Sequence, residues 1–537
     1  MITAGRRQRS ENRKMGKLTE WLAGLDYEVL CGDAETEVSE VVYDSRKAAP
    51  GAVFVCMAGS KTDSHAFIPQ VYAAGCRVFV VEKSAEELCA DETLCGLFGK
   101  ALRRGRKDSA AAPVFIRVGN GRRALAFLSA ARFGHPEQKL KLIGLTGTKG
   151  KTTVSYLLKS ILEHCGERVG VIGTNGCEIA GEHFETKNTT PESYEISERL
   201  AQMAEAGCGY AVMECSSQGF KMHRTDAVLF DYGLFLNISP DHIGPLEHAD
   251  FDEYLSCKAK IFAQSKIGVI NADDAHAEEL IAAQRGRADF QMLTYGLLPE
   301  TEDAAGAQPD LYADNLRYLV DGSFVGTEFD VHGLVNGQFR LSLPGAFNVS
   351  NALAALCVCQ SLGLPEEKVR EALSEIHVSG RMEIVYKSDC FQVLVDYAHN
   401  EVSMESLLAA LRQYRPKRLV VVFGCGGNRS KERRTGMGAA AARAADLTIL
   451  TADNSRFEKT EDIIADIREA YFAAGGSRER LIEIPDRREA ISWAMRHAED
   501  GDMIAVIGKG HENYQEVCGE RTHFSDREEI LKAAETL

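Results

Sequence analysis

The chain has 537 residues, 45% hydrophobic and 26% charged, too long for one core and too apolar for disorder; at about 150 residues per domain it divides into roughly three or four. A formal net charge of -16 argues against a nucleic-acid partner, whose phosphates would be repelled except where basic residues cluster. No apolar run reaches the ~20 residues of a membrane helix, and Met1 to Lys17 is basic and polar without a signal-peptide core, so a cytoplasmic protein with no membrane insertion is expected.

Residues 1–16 read as a basic extension with no assigned function. From 17 to 138, the apolar runs Val41 to Tyr43, Ala52 to Val55 and Val78 to Val81 alternate with turns and with a helical pattern from Phe67 to Ala74, which makes a small α/β domain. Lys100 to Pro113, with Arg103, Arg104, Arg106 and Lys107, reads as a solvated loop. A helix over Arg122 to Phe133 and the break at Gly134-His135-Pro136 lead into a second domain, 139–379. Its strands are expected at Leu140 to Leu145, Val169 to Ile172, Tyr210 to Met213, Tyr232 to Leu236 and Gly268 to Ile270, separated by helices, as in a mostly parallel sheet covered on both faces. Gln291 to Leu343 reads as an antiparallel flank. A helix from Asn348 to Leu362 closes the domain, with Cys357 and Cys359 as core and not as metal ligands; the fifteen cysteines, odd in number and irregular in spacing, read as reduced thiols. The third domain, 380–537, repeats the alternation with strands at Phe391 to Val395, Arg418 to Phe423, Leu447 to Leu450 and Met503 to Ile507, and reads as Rossmann-like α/β.

The most specific local signal is Leu142 to Leu157, in which an apolar run enters a glycine turn and leaves as a helix bearing Val154, Leu157, Leu158 and Ile161 on one face. Gly147 and Gly150 let the loop fold tightly enough for successive backbone N–H groups to converge, and a helix starting near Lys151 adds its positive dipole end, so the loop reads as a phosphate nest. Lys151 is expected to bridge the outer phosphates, and Thr152, followed by Thr153, to offer a hydroxyl to a nucleotide-bound magnesium. The strict pattern would need glycine at Leu145, so this is a shortened variant. Glu214 ends one later strand and Asp241-His242 follows another. A carboxylate and an imidazole above a phosphate loop suit magnesium. In the third domain four polar loops follow strands: Asp396 to Asn400, Gly424 to Arg429, Thr451 to Arg456 and Gly508 to Glu512. By the carboxyl-end rule they meet on one edge as a binding cleft.

An ordered series of motifs covers nearly the whole chain: Asp44-Ser45-Arg46, Thr146 to Thr153, Asn188 to Pro191, Glu214 to Arg224, Asp241-His242, Lys258 to Phe262, Gly345 to Leu353, Gly380 to Glu383, Asp396 to His399, Gly424 to Gly427, Asp453 to Arg456 and Gly508 to Glu512. With it the chain resembles the Mur ligase family of ATP-dependent amino-acid-adding enzymes in peptidoglycan synthesis, in the branch acting on UDP-N-acetylmuramoyl-L-alanyl-D-glutamate.

The resemblance implies three domains that hold, in order, the UDP end of the substrate, ATP with magnesium, and the incoming amino acid, the third closing over the nucleotide. Ser45 and Arg46 match contacts to the UDP substrate, and Thr189, Thr190, Ser217 and Arg224 contacts to the muramoyl-dipeptide. ATP would meet Gly147, Thr148, Lys149, Gly150, Lys151, Thr152 and Thr153, with Asn348, Arg381 and Asp396 as further nucleotide contacts. Lys258 matches a lysine that is carbamoylated in similar enzymes, which with Thr152, Glu214 and His242 would make the magnesium set; Lys151, Lys258, His242 and Arg381 would carry the chemistry. Arg434, Asp453, Asn454, Arg456, Gly508 and Glu512 match amino-acid contacts, arginine for a carboxylate and glutamate for an ammonium, which favours meso-diaminopimelate over lysine or another diamino acid. Ser455 stands where diaminopimelate-adding relatives carry proline, and is expected to loosen the loop that aims Arg456. ATP, magnesium, a UDP-muramoyl-dipeptide and a diamino acid are thus the expected ligands of a monomeric enzyme. The competing readings are a ligase for another carboxylate, such as a folylpolyglutamate or cyanophycin ligase, and a non-catalytic nucleotide-binding paralogue.

Overall fold

The computed structural model describes residues 15–59, 62–104, 113–241, 243–244, 247–298, 308–321 and 324–537. The chain forms two compact units, one of Met1–Ser155, Gly166–Ile270 and His276–Met292, the other of Tyr156–Cys165, Asn271–Ala275 and Leu293–Leu537.

The first unit holds a five-stranded sheet in the order Tyr27–Cys31, Val114–Val118, Val78–Val81, Ala52–Val55, Glu40–Val42, in which only Tyr27–Cys31 is antiparallel to its neighbour. Alternate residues serve opposite faces. Val53, Val55, Val78, Val80 and Ile116 meet Ala124, Leu125 and Leu128 of the helix Gly121–Arg132, whereas Phe54, Phe79, Val81 and Phe115 meet Ile68, Val71, Leu88 and Phe98. Two expectations are corrected here. Gly16 is not part of an extension: Gly16–Lys17 pairs with Glu37–Val38, and residues 1–14 of the expected extension lie outside the described residues. Lys100 to Arg104 end a helix, Cys95–Arg104, because Leu97 and Phe98 dock it on the sheet; the rest of the basic run, 105–112, lies outside the described residues.

A second sheet in this unit sets the site. Val169–Gly173, Tyr210–Glu214, Lys141–Thr146, Phe230–Phe235 and Ser265–Asn271 lie in that order, all parallel, and a hairpin of Gly176–Ile179 and Glu182–Phe184 adds an antiparallel edge. Lys141–Thr146 therefore ends between Glu214 and Phe235, the position where open α/β sheets bind ligands. The helix Phe251–Ala263, which carries Lys258, buries Cys257, Ile261 and Phe262 in the cluster that includes Phe230, Phe235 and Ile270. Asp250 caps it, its carboxylate accepting from Glu253 N at 2.8 Å. Asp250→Ala should lower the stability of the protein by ~1 kcal/mol, read from the denaturant midpoint; an unchanged midpoint would show that this cap contributes nothing.

In the second unit Leu311–Asp321, Phe324–Gly333 and Gly337–Leu341 form an antiparallel meander, but Gln291–Leu297 runs parallel to Leu311–Asp321. The expected antiparallel flank thus begins at Leu311; residues 299–307, between the two parallel strands, lie outside the described residues. Cys357 and Cys359 are fully buried in the helix Ala346–Leu362, as core, and all fifteen cysteines are free thiols. The last sheet runs Glu383–Lys387, Phe391–Asp396, Asp502–Ile507, Arg418–Phe423, Leu447–Leu450, Leu481–Glu483, parallel except for its first strand. The strands before the four polar loops are therefore consecutive neighbours. Arg487, fully buried against Asp526 (2.7 Å), also donates to the carbonyls of Ala452 and Ile507, and so ties the ends of two of these strands together.

Candidate active site

The phosphate loop follows from the strand that feeds it. Thr146 Oγ1 donates to the carbonyl of Cys215 at 2.7 Å, locking the strand end to its neighbour, and Gly150 takes φ 87°, a value glycine adopts freely, to start the helix Lys151–His164. Asn237, from the end of the next strand, clamps the loop: its carbonyl accepts from Thr148 N (3.0 Å), its side-chain oxygen from Lys149 N (2.9 Å), and its amide donates back to Lys149 O (3.1 Å). Lys151 Nζ folds inward onto the carbonyl of Gly147 at 2.7 Å. The same carbonyl accepts from Lys258 Nζ at 2.8 Å. Lys258 is 2% exposed, and its burial, with the adjacent Lys151 charge, holds its pKa well below the usual lysine range. Its ammonium also lies 4.7 Å from the ring of Tyr254, whose hydroxyl meets Thr148 Oγ1 at 3.1 Å.

Glu214 is wholly buried at the end of its strand, its two oxygens accepting from Thr174 N (3.2 Å) and Thr174 Oγ1 (2.9 Å). Gly173 makes room for it: a Cβ there would lie 2.3 Å from Glu214 Oε1. Thr174 Oγ1 reaches Thr189 Oγ1 at 3.1 Å, Thr190 Oγ1 donates to the Glu214 carbonyl at 2.9 Å, and Arg224 donates to the Thr190 carbonyl and to Glu192, so Thr189, Thr190, Glu214 and Arg224 form one connected group. Ser217 Oγ joins a buried imidazole, His248 Nε2, at 2.9 Å. Asp241 raises the pKa of Lys258 and so faces it electrostatically; His242 lies outside the described residues. No three of His, Cys, Asp and Glu cluster as metal ligands among the described residues. Ser45 and Arg46 begin a turn capped by Asp44, whose carboxyl the Arg46 side chain holds down to about 2 through two bonds of 2.8 Å.

In the second unit Asp396 accepts from Met382 N (2.8 Å) and Ala398 N (2.7 Å), Asn348 is buried at the head of its helix, and Arg381 stacks on Tyr397, 4.7 Å from the ring centre, with its Nε buried and without an acceptor. Around the neighbouring strand ends, Asn454 Nδ2 donates to Glu512 at 2.8 Å, and the fully buried Lys509 donates to Asn454 Oδ1 at 3.1 Å and lies 3.6 Å from both Asp453 and Glu512. Burial pushes the Glu512 carboxyl up, against the Lys509 charge that lowers it. A Cβ on Gly508 would approach Asp453 Oδ2 at 3.1 Å. Arg456 takes φ 49° and donates from Nη1 to the Gly427 carbonyl at 2.7 Å, and its backbone pairs with the hairpin Tyr514–Val517 and Glu520–His523. Arg434 differs in setting: both of its Nη atoms are taken, by Asp466 and Glu458, at 2.8 Å. Ser455 is not loosened. It is 1% exposed and bonded to Thr460 Oγ1 at 2.7 Å, which fixes the loop that a proline would have stiffened.

Sequence reasoning did not find Tyr254, His248 or Lys509. Tyr254 stands four residues before Lys258, hence on the same helix face, and Lys509 lies inside a motif already singled out; His248 left no periodic signal.

Three family models match the chain: the Mur ligase family catalytic domain over residues 37–133, the Mur ligase middle domain over 145–359 and the Mur ligase glutamate ligase domain over 380–510. A UDP-N-acetylmuramoyl-L-alanyl-D-glutamate--2,6-diaminopimelate ligase of Clostridium perfringens is 34% identical over 518 residues, 96% of this chain and 98% of its own. Ligase 1 of the same name from Clostridium acetobutylicum is 36% identical over 520 residues, again 96% and 98%. A solved structure bearing that name is 29% identical with a TM-score of 0.67, covering 93% of this chain and 95% of its own. The chain belongs to the Mur ligase family.

Proposed function

We propose that the chain is an ATP-dependent amide ligase that adds meso-diaminopimelate to UDP-N-acetylmuramoyl-L-alanyl-D-glutamate in peptidoglycan precursor synthesis, acting in the cytoplasm as a monomer. The observation that carries this reading is the 34% and 36% identity, over 96% of the chain, to relatives whose names state those substrates. No helix among the described residues is long and apolar enough to cross a membrane.

The chemistry follows from the groups present. A carboxylate is a poor electrophile, so the γ-phosphoryl group of ATP first passes to the glutamyl carboxylate. The amine of the incoming amino acid then attacks the acyl phosphate: the C–N bond forms, the C–O bond to phosphate breaks, and the amine gives up its proton. Lys151 offsets charge on the transferring phosphoryl group, and the N–H groups that open the helix Lys151–His164 bind the phosphates, those of Thr148 and Lys149 being held by Asn237. Thr152, Glu214, His242 and Lys258 are our candidates for the magnesium site, where the ion would screen phosphate charge. Lys258 fits this as a carbamate, because burial lowers its pKa and so favours the neutral amine, the form that adds carbon dioxide and loses a proton as the N–C bond forms. Asn348, Arg381 and Asp396 are assigned to the nucleotide, Ser45 and Arg46 to the UDP end, and Thr189, Thr190, Ser217 and Arg224 to the muramoyl-dipeptide. For the amino acid we assign Asp453, Asn454, Arg456, Gly508 and Glu512, with Arg434 supporting them through Glu458.

Incubating the protein with ATP, magnesium and the UDP-muramoyl-dipeptide should release phosphate when diaminopimelate is added, and far less with lysine. Release with neither amino acid, nor with glutamate on a folate acceptor, would leave only a non-catalytic nucleotide binder.

A further inference from the structure

His248 is fully buried between two groups of opposite chemistry. Its Nε2 lies 2.9 Å from Ser217 Oγ, and its Nδ1 faces Glu253 Oε2 at 3.6 Å. Glu253 is held by Lys221 Nζ at 2.8 Å and accepts from Ala249 N at 2.7 Å, so it stands as a fixed carboxylate. The ring centre of Tyr254 lies 5.3 Å away and closes the third side. At 3.6 Å the carboxylate is beyond hydrogen-bond length, but its negative field favours the tautomer with the proton on Nδ1, which leaves Nε2 with a lone pair. Nε2 then accepts the single hydroxyl proton of Ser217. Ser217 is left with acceptor capacity only.

We propose that His248 is a positioning residue that commits Ser217 to accepting hydrogen bonds, so that the substrate group Ser217 meets is a donor, a peptide N–H of the muramoyl-dipeptide, and not a carboxylate. This rests on Ser217 contacting that substrate, as read above. A carboxylate there would face the lone pairs of an oxygen with no proton to give. The substrate's carboxylates must then be met elsewhere, by cationic or N–H groups.

Binding of the UDP-muramoyl-dipeptide to the full-length protein, measured by calorimetry with steady-state kinetics alongside, tests this. Ser217→Ala and His248→Ala should each weaken binding about tenfold, the size of one lost hydrogen bond in a buried site, and the double variant should be no weaker than Ser217→Ala. His248→Gln, whose amide oxygen can accept the same proton, should recover most of the loss, and the KM for ATP should not move. Replacing the substrate amides by esters one at a time should identify one that costs the parent protein affinity and costs Ser217→Ala none. Should His248→Ala fail to fold, His248→Gln with and without Ser217→Ala, and the ester pair, still decide the matter. Independent effects in the double variant, a glutamine no better than alanine, or ester losses equal in both proteins would overturn the proposal while leaving the substrate reading intact. A parent protein that does not bind the UDP-muramoyl-dipeptide would overturn both.

Discussion

Lys258→Ala should lower kcat by about a thousandfold, the scale on which a lost charge-stabilising group in a phosphoryl-transfer site is felt. The amine shares the Gly147 carbonyl with Lys151, at 2.8 and 2.7 Å, and two ammonium groups on one acceptor in a buried place repel each other. Lys258 gives way because it is the more buried of the two, so its pKa is held well below the usual lysine range, which favours the neutral amine that a carbamate needs. A carbamate would reverse the charge and pair with Lys151, an ordering that alanine cannot restore. Two controls separate this role from packing. Lys258→Met fills the volume and removes a buried polar amine, so its melting temperature should not fall, yet it should be as inactive as the alanine variant. Formate or acetate should recover activity at least severalfold in Lys258→Ala, which leaves room for a small carboxylate, and not in Lys258→Met. A methionine variant that turns over like the parent would end the proposed metal role.

Much of this arrangement was legible in the chain, for a physical reason. Strands buried on both faces read as unbroken apolar runs, so Val78 to Val81 and Arg418 to Phe423 appear at those positions in the structure, and each is followed by the loop expected of it. Direction was not legible: periodicity marks Gln291–Leu297 as a strand but cannot tell a parallel partner from an antiparallel one. Short polar pieces were also silent. The hairpin after Glu512 has no apolar face to betray it, yet Gln515 donates to the carbonyl of Asp453 and Glu516 N to Asn454 Oδ1, so it shapes the loop assigned to the amino acid. Ser455 shows the limit of reading one residue at a time, since the stiffness lost with proline returns through Thr460, five residues on.

Substituting Arg456 should separate the two candidate amino acids. Its backbone is held at φ 49° by Arg456 N donating to the Glu516 carbonyl at 3.0 Å and by Cys518 N donating to the Arg456 carbonyl at 2.6 Å, and one arm of its guanidinium is fixed on Gly427 O. A guanidinium so anchored is preorganised to take a carboxylate, and diaminopimelate has a distal carboxylate where lysine has none. Arg456→Ala should therefore lower kcat/KM for diaminopimelate by about a thousandfold, as when one partner of a hydrogen-bonded charge pair is removed, and change that for lysine less than about threefold. Alanine at positive φ adds strain of its own, so Arg456→Asn, which tolerates that backbone better, belongs beside it. Arg456→Lys should fall between them and the parent, keeping the charge without the fork. If the asparagine variant lost both amino acids equally, Arg456 would be holding the loop and not reading the substrate. A diaminopimelate-specific loss, with the KM for ATP and the melting temperature unmoved, would tie the choice of amino acid to this one guanidinium.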